Sequence, residues 1–309
     1  MIKFGCAMTW NWTSYFGADF PRFLDEVALT GWNGIEMSSD FLGYYLDHID
    51  ELKKLLELHK LEVSSIYSHL VLIDKAGFEA ELDSVKRKIN LIKNVGSEIL
   101  LLDGGMKKSE GNSPRDYELA VENIKRICEL AHSNHVKPTW HLHWGTMFDN
   151  EKYFDYLMEN TEKDTLYFCP DTAQLTMCGM DPLSVMEKYK NRISYIHFKD
   201  VIENTFINRY LKATEKINPK NNTLYPLSSA GEYRYLENRY LDSGAFHINS
   251  KYKIIEIGRG QVEFKPIVEL IRAIDFSGWV TVDQDYTGYR SMESLDVNLR
   301  NLNYLFGEM

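Results

Sequence analysis

The sequence predicts one α/β domain over residues 1–309, a (β/α)8 barrel of the TIM type with a long insertion after its seventh strand. The first observation is that eight strand-like apolar segments alternate with amphipathic helical segments, as in parallel sheets with crossover helices. The second is length, because α/β barrels commonly fill about 250 residues or more as one domain. The third is that no GxGxxG turn follows the first strand, so a doubly wound nucleotide-binding sheet is the weaker alternative.

Eight short apolar runs are the predicted strands, and the last four of them end in polar clusters. The run at 98–105, EILLLDGG, has four successive aliphatic residues, which predicts a strand buried on both faces. The strands are predicted at residues 3–8, 33–37, 62–67, 98–105, 137–143, 165–171, 192–200 and 279–285.

The segments between these runs have the features of helices. Gly31 and Gly96 are the last residues of the first and third, where glycine favours the left-handed conformation that ends a helix. Asp181 and Pro182 open the sixth, as a capping residue and a residue of the first turn. The helices are predicted at residues 21–31, 49–60, 78–96, 115–134, 150–160, 181–191, 264–275 and 292–306.

One segment, residues 202–260, interrupts the alternation between the seventh strand and its helix. It is polar and contains NPKNN at 218–222. A connection of this length in a compact domain is usually a functional lid or a subunit contact. A variable surface insertion is the equally open alternative.

Composition and charge favour a protein that handles small molecules. The 35 Lys and Arg residues face 45 Asp and Glu, a formal net charge of −10, which disfavours a nucleic-acid partner. The four cysteines form no CxxC pair, which indicates reduced thiols in a cytoplasmic protein. No apolar run reaches the ~18–20 residues of a membrane span, so a membrane partner is not expected.

Polar clusters close the last four predicted strands: WHLHWGT (140–146), CPDT (169–172), IHFKD (196–200) and VDQD (282–285). Side chains two residues apart share a face, and the carboxyl ends of barrel strands meet on one side, so these groups are expected to converge. A single strand histidine is more often a hydrogen-bonded core residue, and Asp171 alone could be only a helix-start residue. Four consecutive strands with this pattern favour an open metal site. Mixed imidazole and carboxylate donors suit Mn²⁺, Co²⁺, Zn²⁺ or Fe²⁺ better than Ca²⁺.

Longer stretches, most of them in the second half, carry a family resemblance. They are HLHWGT (141–146), PDTAQ (170–174), DPLSVMEKYKNRISYIHFKDV (181–201), GAF (244–246), GRGQVEFKPIVELI (258–271) and SGWVTVDQD (277–285). On these residues the chain resembles the xylose isomerase-like superfamily of sugar-phosphate isomerases and epimerases, and within it the inosose dehydratase branch. The resemblance covers nearly the whole barrel and is weak across 202–243, where this chain is longer than the family.

The resemblance implies a ligand set for a divalent metal. Most of the superfamily binds the ion with Glu, Asp, His and Glu on strands five to eight, and these positions fall on His141, Asp171, His197 and Asp283. His141 replaces the usual Glu, as a similar His-x-His does in the inosose dehydratase branch. Asp283 is one methylene shorter than the usual Glu, so Asp285 is the substitute candidate on the eighth strand.

The same two departures bear on mechanism. Epimerases of the superfamily use two metal-bound Glu residues as paired bases, and this chain has neither. The resemblance therefore implies a one-sided reaction on a keto-sugar or inosose. A proton α to a carbonyl is removed, and a β-hydroxyl is lost through a metal-stabilised enolate. His143 is the expected base or hydroxyl partner. Lys199 is a second proton carrier or a cation that polarises the carbonyl. The expected pocket residues are Trp10, Glu36, His69, Trp144 and Asp285.

Three alternatives stay open. The first is a ketose–aldose isomerase or an epimerase on the same site, and the second is a barrel that has lost its chemistry and only binds a ligand. The third is an endonuclease IV-like apurinic endonuclease, which would need a trinuclear zinc cluster and a basic DNA-binding face. Strands two to four offer only Glu36, His69 and Asp103 for such a cluster. The sequence is also compatible with a homo-oligomer.

Overall fold

The computed structural model describes residues 1–7, 20–38, 43–203, 251–284 and 291–307. Within them, eight strands form one parallel sheet and two more strands form an antiparallel pair. The strands of the large sheet are β1 (Ile2–Ala7), β2 (Gly34–Met37), β3 (Glu62–Leu70), β4 (Ile99–Gly104), β5 (Lys137–His141), β6 (Tyr167–Cys169), β7 (Ile196–Phe198) and β10 (Gly278–Val282). The antiparallel pair is β8 (Asp200–Glu203) and β9 (Tyr252–Ile255).

The large sheet curls into a nearly closed barrel. Its strand order is β6-β5-β4-β3-β2-β1-β10-β7, so the first strand pairs with both the second and the last. Two isolated parallel bridges, Phe168 with Ile193 and Asp171 with His197, hold the remaining seam between β6 and β7. The predicted eight-stranded barrel is thereby confirmed.

Helices follow the strands, as the sequence predicts. Asp181 Oδ2 accepts the backbone N–H of Ser184 at 2.8 Å, and Gly96 has φ 75°, so both predicted helix ends are confirmed. None of the described helices is long and apolar enough to cross a membrane. The helices of the described residues are α1 (Phe20–Thr30), α2 (Ile49–His59), α3 (Phe78–Val95), α4 (Pro114–His132), α5 (Glu151–Glu159), α6 (Thr172–Met177), α7 (Pro182–Tyr189), α8 (Phe264–Ala273) and α9 (Ser291–Phe306).

The core of the described residues has three clusters: a large one between the barrel and its helices, a smaller one inside the barrel and a third beside the β8–β9 pair. Strand β4 contributes to the first two, because alternate side chains point to opposite faces. Leu100 and Leu102 pack outward in the large cluster, whereas Ile99 and Leu101 pack inward with Tyr195. All six residues of β4 are buried, so the predicted burial on both faces is confirmed.

The predicted seventh strand, residues 192–200, was wrong in its extent. The barrel strand ends at Phe198, and Asp200 begins β8, which pairs with β9 on the far side of the insertion. The reason is the buried Asp200 carboxylate, which accepts backbone N–H groups of Gly260 (2.7 Å) and Val262 (3.1 Å). The two flanks of the predicted insertion are thus joined, while residues 204–250 lie outside the described residues.

Candidate metal centre

Four side chains converge at the carboxyl ends of the last four barrel strands. His141 ends β5, Asp171 follows β6, His197 lies in β7 and Asp283 follows β10. One ligand atom from each lies within 4.8 Å of the corresponding atoms of the other three. The convergence that the sequence predicts is therefore present. These four residues are called the metal centre below.

Asp171 serves two functions through its two oxygens. Oδ1 accepts the backbone N–H of Gln174 at 2.7 Å and so caps α6, a helix that the sequence did not predict. Oδ2 lies 3.2 Å from Nε2 of His141 and 3.6 Å from Nδ1 of His197. Burial raises the pKa of this carboxyl, but the Lys199 charge and the two histidines outweigh burial and hold the pKa well below its usual value. Asp171 is thus both a helix-start residue and a charged carboxylate within the centre.

His197 is fixed from behind by Glu36. Its Nε2 donates to Glu36 Oε2 at 2.9 Å, and Ser65 Oγ donates to the same oxygen at 2.7 Å. Burial lowers the pKa of His197, but Glu36 and Asp171 outweigh burial and raise this pKa to about 10. A carboxylate on the far nitrogen of a metal-binding imidazole orients the ring toward the metal. Glu36 therefore lies behind the centre, where it supports His197.

The donor set fits a divalent cation. Within the described part of the chain, the buried Nδ1 atoms of His141 and His197 have no hydrogen-bond partner. Buried polar groups without partners are rare and need an explanation. Two imidazoles and two carboxylates are a donor mixture that Mn²⁺, Co²⁺, Zn²⁺ and Fe²⁺ accept. The centre can therefore hold the kind of ion that the sequence predicts.

Lys199 places a positively charged ammonium group next to the metal centre. It is buried, and its Nζ lies 2.6 Å from Asp283 Oδ2, which also lies 3.9 Å from Nδ1 of His197. Thr172 fixes the backbone of Lys199, because its hydroxyl donates to the carbonyl oxygen of Lys199 at 2.6 Å. Asp283 is thus positioned between the centre and an ammonium group.

His143 lies beside the centre with a defined tautomer. Its ring centroid is 5.8 Å from that of His141, and its Nδ1 lies 2.7 Å from the carbonyl oxygen of Trp144. A carbonyl oxygen can only accept, so Nδ1 carries the proton and Nε2 is the basic nitrogen of the neutral ring. Gln174 holds the same loop, because its Oε1 accepts the Trp144 N–H at 2.9 Å.

Two of the other predicted pocket residues, His69 and Trp144, lie within the described residues, and two do not. His69 lies on β3 at the mouth of the barrel, which is the side where the carboxyl ends of the strands meet. Its Nδ1 is 2.8 Å from Oδ1 of Asp103 on β4. Asp103 is not among the predicted pocket residues, although it lies near the end of the predicted fourth strand, directly before Gly104 and Gly105. Trp144 packs beside the β8–β9 pair. Trp10 and Asp285 lie outside the described residues, so the choice between Asp283 and Asp285 stays a prediction.

Comparison with known proteins finds a matching family model and similar proteins. A family model described as the xylose isomerase-like TIM barrel matches residues 24–302. An inosose dehydratase from Clostridium beijerinckii is 23% identical over 278 residues, which cover 86% of this chain and 82% of that protein.

Solved structures show the same fold. The probable 3-DHS dehydratase AsbF from Bacillus anthracis has a TM-score of 0.70 at 17% identity, over 97% of this chain and 98% of that one. The IOLI protein with a zinc atom has a TM-score of 0.70 at 13% identity, over 99% and 98%. With such relatives, the chain is an enzyme of the dehydratase or isomerase–epimerase kind. Because the matched residues 24–302 contain every barrel strand but the first and all four donors of the metal centre, this chain belongs to the xylose isomerase-like TIM barrel family.

Proposed function

We propose that this enzyme is a divalent-metal-dependent dehydratase that acts on a keto-polyol such as an inosose. It removes the proton α to the carbonyl and expels the β-hydroxyl. The observation that carries the proposal is the position of His143, whose ring lies next to the metal centre with Nδ1 bound to a backbone carbonyl. The similarity to inosose dehydratases over 278 residues supports the substrate class.

The residues divide the chemistry between them. A divalent ion held by His141, Asp171, His197 and Asp283 would supply a Lewis acid, which makes the hydrogen next to a carbonyl more acidic. Nε2 of His143 accepts that hydrogen as a proton. Lys199 holds a positive charge 2.6 Å from Asp283, where it favours negative charge that develops on the substrate.

Elimination is favoured over epimerisation because the two walls of the centre differ. Epimerisation by two bases needs a proton acceptor on each face of the substrate carbon. Here the end of β5 and the loop after it offer the imidazoles of His141 and His143, whereas the Asp283 carboxylate after β10 is already engaged by Lys199. The centre therefore resembles a one-base site.

The test uses metal-free protein reloaded separately with Mn²⁺, Co²⁺, Zn²⁺ or Fe²⁺ and supplied with inososes and ketohexoses in D2O. We expect deuterium to enter the α position by NMR, together with a rise in ultraviolet absorbance from the unsaturated ketone. Exchange with isomeric products and no loss of water would show an isomerase or epimerase. A protein that neither binds these metals nor exchanges the α proton would be a ligand-binding barrel, and the proposal would fail.

A further inference from the structure

Strand β3 presents a row of polar side chains to the inside of the barrel. Ser65 supports Glu36, the ring of Tyr67 meets that of His141 at 6.0 Å between centroids, and His69 is the next residue in this row. Residues two apart in a strand share a face. His69 therefore projects from the same wall as Tyr67, one step closer to the mouth.

His69 and Asp103 form a pair with one buried and one open partner. They are register partners across β3 and β4, and Nδ1 of His69 lies 2.8 Å from Oδ1 of Asp103. The Asp103 side chain is 1% exposed and that of His69 is 59% exposed. A carboxylate accepts only, so Nδ1–H donates to Asp103 and Nε2 is the nitrogen that can exchange a proton with a substrate. The buried acid fixes an imidazole that remains accessible from the mouth.

The position of the His69–Asp103 pair in the barrel indicates what the pair can contact. In the eight-membered ring of strands, β3 lies opposite β7 and β4 lies opposite β10. The His69–Asp103 pair therefore faces the Lys199–Asp283 pair across the mouth. A substrate that reaches the metal centre lies between these two walls.

We infer that His69 is a catalytic acid that protonates the departing β-hydroxyl, and that Asp103 is its positioning residue. This inference rests on the proposed dehydration. The C–H bond breaks and its proton goes to His143, and the electron pair forms the new C=C bond. The C–O bond breaks, and the proton on Nε2 of His69 joins the departing oxygen to give water. Solvent returns a proton to His69 and removes one from His143.

The hydrogen-bond partners of His69 and His143 explain why His69 is the residue that donates the proton. His143 is bound through Nδ1 to a neutral carbonyl, whereas His69 is bound through Nδ1 to a carboxylate. A carboxylate stabilises the protonated imidazole much more than a carbonyl does. His69, whose Nδ1 is held by Asp103, is therefore suited to donate the proton on Nε2 to the departing oxygen.

The experiment compares two substrates in the metal-loaded His69→Gln variant. One is the keto-polyol turned over by the parent enzyme, and the other carries fluorine in place of the β-hydroxyl. Fluoride leaves without a proton, so it does not need the acid. We expect turnover of the hydroxyl substrate to fall by about 10²–10⁴-fold and that of the fluoro substrate by less than about 10-fold. Exchange of the α proton with D2O should persist, because His143 is intact.

Two further variants complete the test. Asp103→Asn should show the same selective loss, smaller than that of His69→Gln, because the ring keeps a hydrogen-bond partner but loses the charge. The matched control is His59→Gln, which removes the Nε2 contact of His59 with Asp25 (3.0 Å) on the outer helices and should change neither rate.

The inference is overturned if His69→Gln slows both substrates equally, leaves both unchanged, or abolishes α-proton exchange. A parent enzyme that neither exchanges nor eliminates overturns the proposed dehydration instead, whatever the variants do. Metal content and melting temperature of each variant separate these outcomes from a folding defect.

Discussion

The inside of the barrel contains two polar groups of residues with opposite properties. Inside the barrel, two residues before His197 in the chain, the Tyr195 hydroxyl forms hydrogen bonds with the hydroxyls of Ser64 (2.7 Å) and Thr281 (2.6 Å). These three residues are called the hydroxyl layer below. The hydroxyl layer is neutral and buried, and its hydroxyls pair with one another. The strands approach so closely here that a Cβ on Gly5 would lie 2.7 Å from Thr281 Oγ1.

The metal centre above it is charged and incompletely paired. His141 and His197 are each 1% exposed, yet each has one ring nitrogen without a partner among the described residues. Buried charges and unpaired polar atoms cost stability, so a protein keeps them where function needs them. The difference indicates that the hydroxyl layer stabilises the fold, and that the centre is arranged for a ligand.

The largest expected effect is at Asp171. Asp171→Asn keeps an oxygen for the α6 cap but removes the charge from the centre, so metal binding and turnover should be lost while the melting temperature stays close to that of the parent. Loss of a Lewis acid worth several kcal/mol corresponds to roughly 10³-fold or more in kcat. Asp171→Ala should also lose about 1 kcal/mol of stability with the cap. Metal analysis and thermal unfolding measure both, and an Asn variant that retains metal and turnover would contradict the assignment.

A smaller effect is expected behind the centre. Glu36→Gln removes the charge that orients His197 but leaves groups able to hydrogen-bond to it and to Ser65. We expect metal affinity to fall by about 10–100-fold, the usual effect of losing such a support. Competition with a chelator of known affinity measures it. Glu62→Gln, at the opposite end of β3 where Glu62 pairs with Lys3, is the control and should leave affinity unchanged.

The smallest effect is expected in the hydroxyl layer. Tyr195→Phe removes two buried hydrogen bonds, so the free energy of unfolding should fall by about 1–3 kcal/mol, measured in urea. Metal affinity and kcat should remain those of the parent. Tyr304→Phe, at a side chain that is largely exposed, should change neither quantity. A Tyr195→Phe variant of normal stability but reduced metal affinity would erase the distinction between the two groups.

Much of this architecture follows from local sequence pattern. Eight short apolar runs separated by amphipathic helical segments predict the eight barrel strands, and polar clusters at the ends of the last four predict the four residues of the metal centre. The sequence pattern does not predict the short helix α6, because its six residues continue directly from the polar cluster at Asp171. The end of the seventh strand was misplaced, because only a contact with Gly260, 60 residues away, shows that Asp200 turns out of the barrel.

By itself the sequence determined which polar residues lie at or just beyond the strand ends and which of them share a face, because the two-residue period of a strand is local. Only the tertiary structure decided which walls oppose each other. Glu36 reaches His197 across 161 residues, and His69 meets Asp103 across 34, through the register and closure of the barrel. A shift in the β2–β3 register turns both Ser64 and Ser65 inward, one to the hydroxyl layer and one to Glu36. No local periodicity contains that shift, because it arises from fitting eight strands into one ring.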